Sequence, residues 1–198
     1  MSESWDDYAE GWDENPGVAQ YSKLAFESLQ RTLPIEGLRV LDFGCGTGQL
    51  TEKLSPLAKT VIAIDLSEKM VDVLNQKKNN LKLDNVIAVA GDILEEDVLG
   101  LESFQTPFDL IVASSVCAFL PEFEETLKRL KTLLSTNGVF IQWDWERPED
   151  QDGTGFTVQE LSTAYQNLGL HVRYVGPAFA LAADQGAMPV LMGVVQKN

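Results

Sequence analysis

The chain has 198 residues, 44% hydrophobic and 23% charged, which is the profile of one ordinary globular domain that can bury a core without disulfides or metal. Its formal net charge is −15, and an acidic surface repels phosphate backbones, so DNA and RNA are expected not to be ligands. Two cysteines, Cys45 and Cys117, make no disulfide framework, so a reducing, cytoplasmic setting is expected. No apolar run is long enough for a bilayer, and the acidic N-terminal segment lacks the apolar core of a secretory signal.

Taken in order, residues 17–33 carry apolar side chains at helical spacing and stop at Pro34 and Gly37. "LRVLDF" (38–43) is a nearly continuous apolar run, as a buried parallel strand requires. A short helix over 48–55 is expected next, ended by Pro56, and then the strand "TVIAID" (60–65). Ser67 reads as the N-cap of a helix over 68–82 whose last turns hold lysines, as the helix dipole favours. "NVIAVAGD" (85–92) is a third strand, and 95–107 a weak helix or a loop.

"FDLIVASS" (108–115) is a fourth strand. Pro121 opens a helix with acids first and lysines later, and Asn137-Gly138 is expected to cap its end. "VFIQWDW" (139–145) is a fifth strand, 146–155 a polar loop, and 157–169 a helix ending at Gly169. Two more strands, 170–176 and 189–197, are joined by a non-helical connection over 177–188, which predicts an antiparallel pair.

Strands alternating with helices predict an α/β fold: a doubly wound, mostly parallel seven-strand sheet with an antiparallel terminal strand and helices on both faces. Ligands of such sheets bind beyond the carboxyl ends of the strands, beside the first strand–helix turn. Here that turn is "GCGTG". It reads G-x-G-x-G with Gln49 where a dinucleotide fingerprint has its third glycine, so pyrophosphate fits poorly. Asp42, Asp65 and Asp92 each stand at the end of one of three successive strands. Asp65 there is placed to accept from ribose hydroxyls and Asp92 from an exocyclic amine. Either could instead cap the helix that follows it.

The blocks "VLDFGCGTG", "VIAIDLSEKM", "VAGDI", "FDLIVASSVCAFL" and "LKTLLSTNGVFIQ", in that order, resemble the class I S-adenosylmethionine-dependent methyltransferases. The resemblance implies S-adenosyl-L-methionine as cofactor. It implies that Asp42 and the Gly44 backbone hold its methionine end, and that Gly46 and Gly48 allow close approach. Asp65 would take the ribose, with Leu66 and Met70 nearby; Asp92 would take the adenine amine and Ile93 would pack on the ring; Ser114 would line the methionine arm. Tyr8 and Trp12 resemble the aromatics that precede the core in that family and would close over the sulfonium. The implied organisation is one methyltransferase domain over 1–198: a helical arm or lid (1–34), a cofactor-binding core (35–145), and a C-terminal helix and strand pair (146–198).

Methyl transfer needs alignment more than acid–base chemistry, and a base only where the acceptor must lose a proton. Trp143 and Trp145 alternate with Asp144 and Glu146, one pair on each side of the sheet. With the aromatics of the arm and the acidic composition, Asp144 makes the expected acceptor a small amine or nitrogen heterocycle, with Asp144 as the proton acceptor. His171 is read as an edge or surface residue and Cys117 as core or pocket wall. The ligand spacing of a metal site is missing, so no metal is expected. A non-catalytic S-adenosylmethionine-binding module and a nicotinamide-dependent oxidoreductase are the alternatives.

Overall fold

The computed structural model describes residues 5–183 and 186–198, the backbone alone at Ala183. One seven-strand sheet, in order β3-β2-β1-β4-β5-β7-β6, organises the chain. Its strands are β1 (Arg39–Phe43), β2 (Thr60–Asp65), β3 (Val86–Ala90), β4 (Phe108–Ser114), β5 (Leu134–Trp145), β6 (His171–Ala183) and β7 (Gly186–Gln196). Neighbours among β1–β5 are parallel; β7 runs antiparallel to both β5 and β6. The order reverses between β1 and β4, so their carboxyl ends frame the ligand crevice.

The helices are α1 (Pro16–Thr32), α2 (Gln49–Leu54), α3 (Glu68–Leu81), α4 (Glu96–Leu99), α5 (Phe123–Leu133) and α6 (Val158–Asn167). Three of them are started by side-chain caps. Pro16 sits in the first turn of α1 behind the Asn15 cap. Ser67 caps α3 by accepting from Met70 N at 3.1 Å. Thr157 and Glu160 form a capping box on α6. One core layer packs α1 and α2 against β1, β4 and β5, with Tyr21, Leu29, Leu54 and Trp143 buried in it. The other holds α5 and α6 on the opposite face, around Phe108, Leu127, Phe140 and Tyr165.

Two expectations are corrected. Asn137-Gly138 does not cap α5, which ends at Leu133 with Leu134 extended. The pair lies inside β5, Asn137 at φ +63°, where the register with β4 shifts. Gly138 is held because a β-carbon there would come 2.9 Å from Phe108 O. The connection over 177–188 is also mostly strand, because β6 and β7 extend into one long hairpin whose residues 184–185 lie outside the described part. Pro177 is tolerated because β6 is an edge strand and its register breaks there.

Candidate active site

The glycine turn after β1 carries three glycines at positive φ, and they do different work. A β-carbon on Gly44 would overlap Val116, and one on Gly48 would overlap Leu74 of α3. These two permit packing inside the protein. Gly46 alone is open: its nearest neighbour would be Trp12 Nε1, 3.8 Å away. The turn is pinned by Asp65, whose carboxylate accepts from Gly46 N at 2.8 Å and from Ser67 N at 2.9 Å. A carboxylate has about four lone-pair directions. Asp65 therefore keeps capacity for hydroxyl donors at the carboxyl end of β2. Burial pushes its pKa up, against those backbone donors, so a donor pair would be well received there.

Asp42 does not line this opening. It is 1% exposed and accepts from Thr51 Oγ1 at 2.6 Å. Burial raises its pKa to about 7, and the Thr51 hydrogen bonds oppose the rise. The side chain anchors α2 beneath the turn. Leu66 is 56% exposed at the rim, whereas Met70 and Ile93 are buried in the protein's own packing. Asp92 is half-buried and accepts from Leu94 N at 2.9 Å in a local turn; the following helix, α4, has Glu95 and not Asp92 at its N-cap. Ser114 is half-buried at the end of β4.

Two 3-10 turns of the arm, Trp5–Tyr8 and Trp12–Glu14, lie over the crevice. Asp6 accepts from Ser67 Oγ at 2.5 Å. Asp13 accepts from Thr47 Oγ1 at 2.7 Å and Gln49 Nε2 at 2.9 Å, and pairs with Lys77 at 2.5 Å. Burial opposes ionisation of Asp13, but those three donors hold its pKa below the usual range. The arm thus brings Trp5, Tyr8 and Trp12 together, with centroids 5.9–6.4 Å apart. Phe119 joins them, edge-on to Trp5 at 5.3 Å. Sequence reading missed Phe119 because only the fold brings it to the arm.

The turn that carries Phe119 also touches Asp144. Ala118 N donates to Asp144 Oδ1 at 3.0 Å, and Gln142 Nε2 donates to Oδ2 at 2.8 Å. Tyr165 Oη in turn donates to Gln142 Oε1 at 2.8 Å. Asp144 is fully buried, and burial raises its pKa to about 7 despite these donors. Trp143 and Trp145 face the other side of the sheet, as alternation requires. Trp143 is wholly buried under α1, its indole N–H on Ser28 Oγ at 3.3 Å, so it is core. Cys117 is buried in the core and His171 is exposed on the edge strand β6. Among the described residues no cluster of His, Cys, Asp or Glu could hold a metal, and no helix is long and apolar enough to cross a membrane.

The opening between Gly46, Asp65 and Leu66 fits an adenosyl group. It offers bare backbone, a carboxylate with spare acceptor capacity and an apolar rim. The family model described as "Methyltransferase domain" matches residues 35–176. An uncharacterised methyltransferase of Schizosaccharomyces pombe is 36% identical over 104 residues, 52% of this chain and 37% of that protein. A malonyl-[acyl-carrier protein] O-methyltransferase of Halalkalibacterium halodurans is 40% identical over 105 residues, 52% of this chain and 37% of its own length. The chain thus spans little more than a third of either of these two relatives. The crystal structure of an S-adenosylmethionine-dependent methyltransferase from Aquifex aeolicus shares the fold, with a TM-score of 0.74 at 20% identity over 98% of each chain.

Proposed function

The chain belongs to the class I S-adenosylmethionine-dependent methyltransferases, and from that premise we propose that it methylates a nitrogen of a small cationic amine or nitrogen heterocycle. When bound, the cofactor supplies a methyl group already activated on a sulfonium. Asp65 would hold its ribose and the Gly46 backbone its approach, with Leu66 against the adenine side. Trp12 and Tyr8 would cover the positive sulfur, to which aromatic faces are attracted.

The observation that carries the reading is one short turn with two contacts. Its Phe119 completes a four-ring cluster with Trp5, Tyr8 and Trp12, and its Ala118 N holds the Asp144 carboxyl. Aromatic faces beside a buried carboxyl favour a cation. With its pKa raised to about 7, Asp144 can take the proton that an ammonium must lose before its nitrogen lone pair is free. The strongly negative chain favours the approach of such acceptors over nucleic acids.

A second reading has one observation behind it. A carboxyl with a pKa near 7 is partly neutral at physiological pH and can donate to an oxygen acceptor. O-methyltransferases also occur among the relatives. A panel of amines, heterocycles, phenols and carboxylic acids, read by S-adenosylhomocysteine release, separates the two. Amines are expected to turn over fastest, and Asp144→Asn to lose about 10²–10⁴-fold on the best of them. Turnover confined to carboxylic acids or phenols sinks the amine reading, and no turnover at all favours a binding module.

A further inference from the structure

Among the described residues, two buried side-chain hydroxyls have no hydrogen-bond partner, and they are adjacent on α1: Tyr21 Oη and Ser22 Oγ. Buried polar groups are nearly always paired, so a buried hydroxyl without a protein partner keeps its full hydrogen-bonding capacity for a ligand. Tyr21 is 5% exposed and its ring is wedged. Trp145 lies edge-on to it at 5.2 Å and Phe179 at 5.3 Å, which holds the phenol inside the fold. Burial raises its pKa well above that of a free phenol, and the groups that act on it are Asp144, Ser115 and Cys117. The Ser115 side chain acts on the phenol and opposes that rise.

Ser115 is itself unusual. It holds φ +57° just past the end of β4, a region that side chains other than glycine rarely adopt, and its N–H donates to Trp143 O at 2.7 Å. Such strain persists where the surroundings enforce it, and it clusters at binding sites. Three signatures therefore meet at the carboxyl ends of β4 and β5: an orphan phenol, a left-handed serine and a buried carboxyl. Tyr165, Gln142 and Cys117 surround the same carboxyl, but each is packed or bonded within the core.

We infer that Tyr21 is a second contact for the methyl acceptor, its hydroxyl meeting the same heteroatom that Asp144 meets. This deepens the proposed function and rests on it. For an amine, Tyr21 Oη accepts one N–H while Asp144 takes another, and the lone pair is left facing the cofactor side. For an oxygen acceptor the phenol donates instead. Either way Tyr21 orients the acceptor and is not itself ionised.

The test is Tyr21→Phe, assayed on the best acceptor of the panel beside Asp144→Asn and the double variant. Removing an unpaired hydroxyl should leave the melting temperature unchanged or higher. Affinity for S-adenosylhomocysteine should stay the same, and kcat/KM for the acceptor should fall 10- to 100-fold. If both groups meet one heteroatom, the double variant loses less than the product of the single losses. Wild-type turnover in Tyr21→Phe, a melting temperature several degrees lower, or losses that multiply would overturn the inference. A parent protein active only on acids defeats the amine reading while Tyr21 is still read on those acids. A parent inactive on every acceptor removes both.

Discussion

Asp13 of the arm and Lys77 of α3 stand 2.5 Å apart across the mouth of the crevice, and Lys77 also reaches Glu52 of α2 at 3.0 Å. The same Asp13 grips Thr47 and Gln49 beside the glycine turn. One carboxylate therefore ties the arm to the loop, to α2 and to α3. In the proposed reading the cofactor lies beneath Trp12, and this tie would have to open for it to leave.

Asp13→Asn is expected to speed release of S-adenosylhomocysteine about 3- to 10-fold, a loss of roughly 1 kcal/mol for a partly exposed charge pair. Stopped-flow tryptophan fluorescence, reporting on Trp12, measures it. Higher salt should speed the parent and leave the variant nearly unchanged. Equal release rates at low salt would mean that the arm is not a latch.

Gly46→Ala and Gly48→Ala should part company. Both force a β-carbon onto a positive φ, at about 1–2 kcal/mol. Only at Gly48 does it also overlap Leu74, so Gly48→Ala should cost about 2–4 kcal/mol of stability. Gly46→Ala should fold and bind cofactor poorly. Urea titration and calorimetry on both variants check this; equal stability losses would contradict the division of labour.

Asp65→Ala should weaken S-adenosylhomocysteine by about 1.5–3 kcal/mol, because charge-assisted hydrogen bonds to the ribose are lost. It should also lower the melting temperature of the ligand-free protein, since Gly46 N and Ser67 N lose their acceptor. Calorimetry showing unchanged affinity would leave Asp65 as a brace for the turn alone.

Stability should fall as pH rises from about 4 to about 7. Asp42 and Asp144 have folded-state pKa values near 7, well above the unfolded 3.8, so between those values the folded state binds more protons than the unfolded one. Their contribution is complete below about pH 4 and lost above about pH 7. The slope is at most about 1.4 kcal/mol per pH unit for each group. Melting curves of Asp42→Asn and Asp144→Asn should each be flatter than the parent's over this window. Curves parallel to the parent's would place the two titrations elsewhere.

The order of strands and helices is written in local chemistry. Continuous apolar runs bounded by caps, prolines and glycines mark β1–β5, and the absence of a helix between 176 and 189 marks the final antiparallel pair. The glycine turn with Asp42 and Asp65 likewise announces a ligand at the first switch of the sheet. Sequence does not say which way a side chain faces once its strand is packed. Asp42, Gly48, Met70 and Ile93 belong to the right motifs, yet they serve the protein's own packing, because alternation along a strand and the neighbouring helices decide what each one meets. Asn137-Gly138 has the composition of a helix cap and forms an irregularity in β5, because the sheet register outweighs local preference. The meeting of Phe119 with the arm, and of Tyr21 and Ser115 with Asp144, joins residues about 30 to more than 120 positions apart. Only the tertiary structure creates those neighbours, since burial, ring packing and strand pairing, not spacing along the chain, bring them to one end of the sheet.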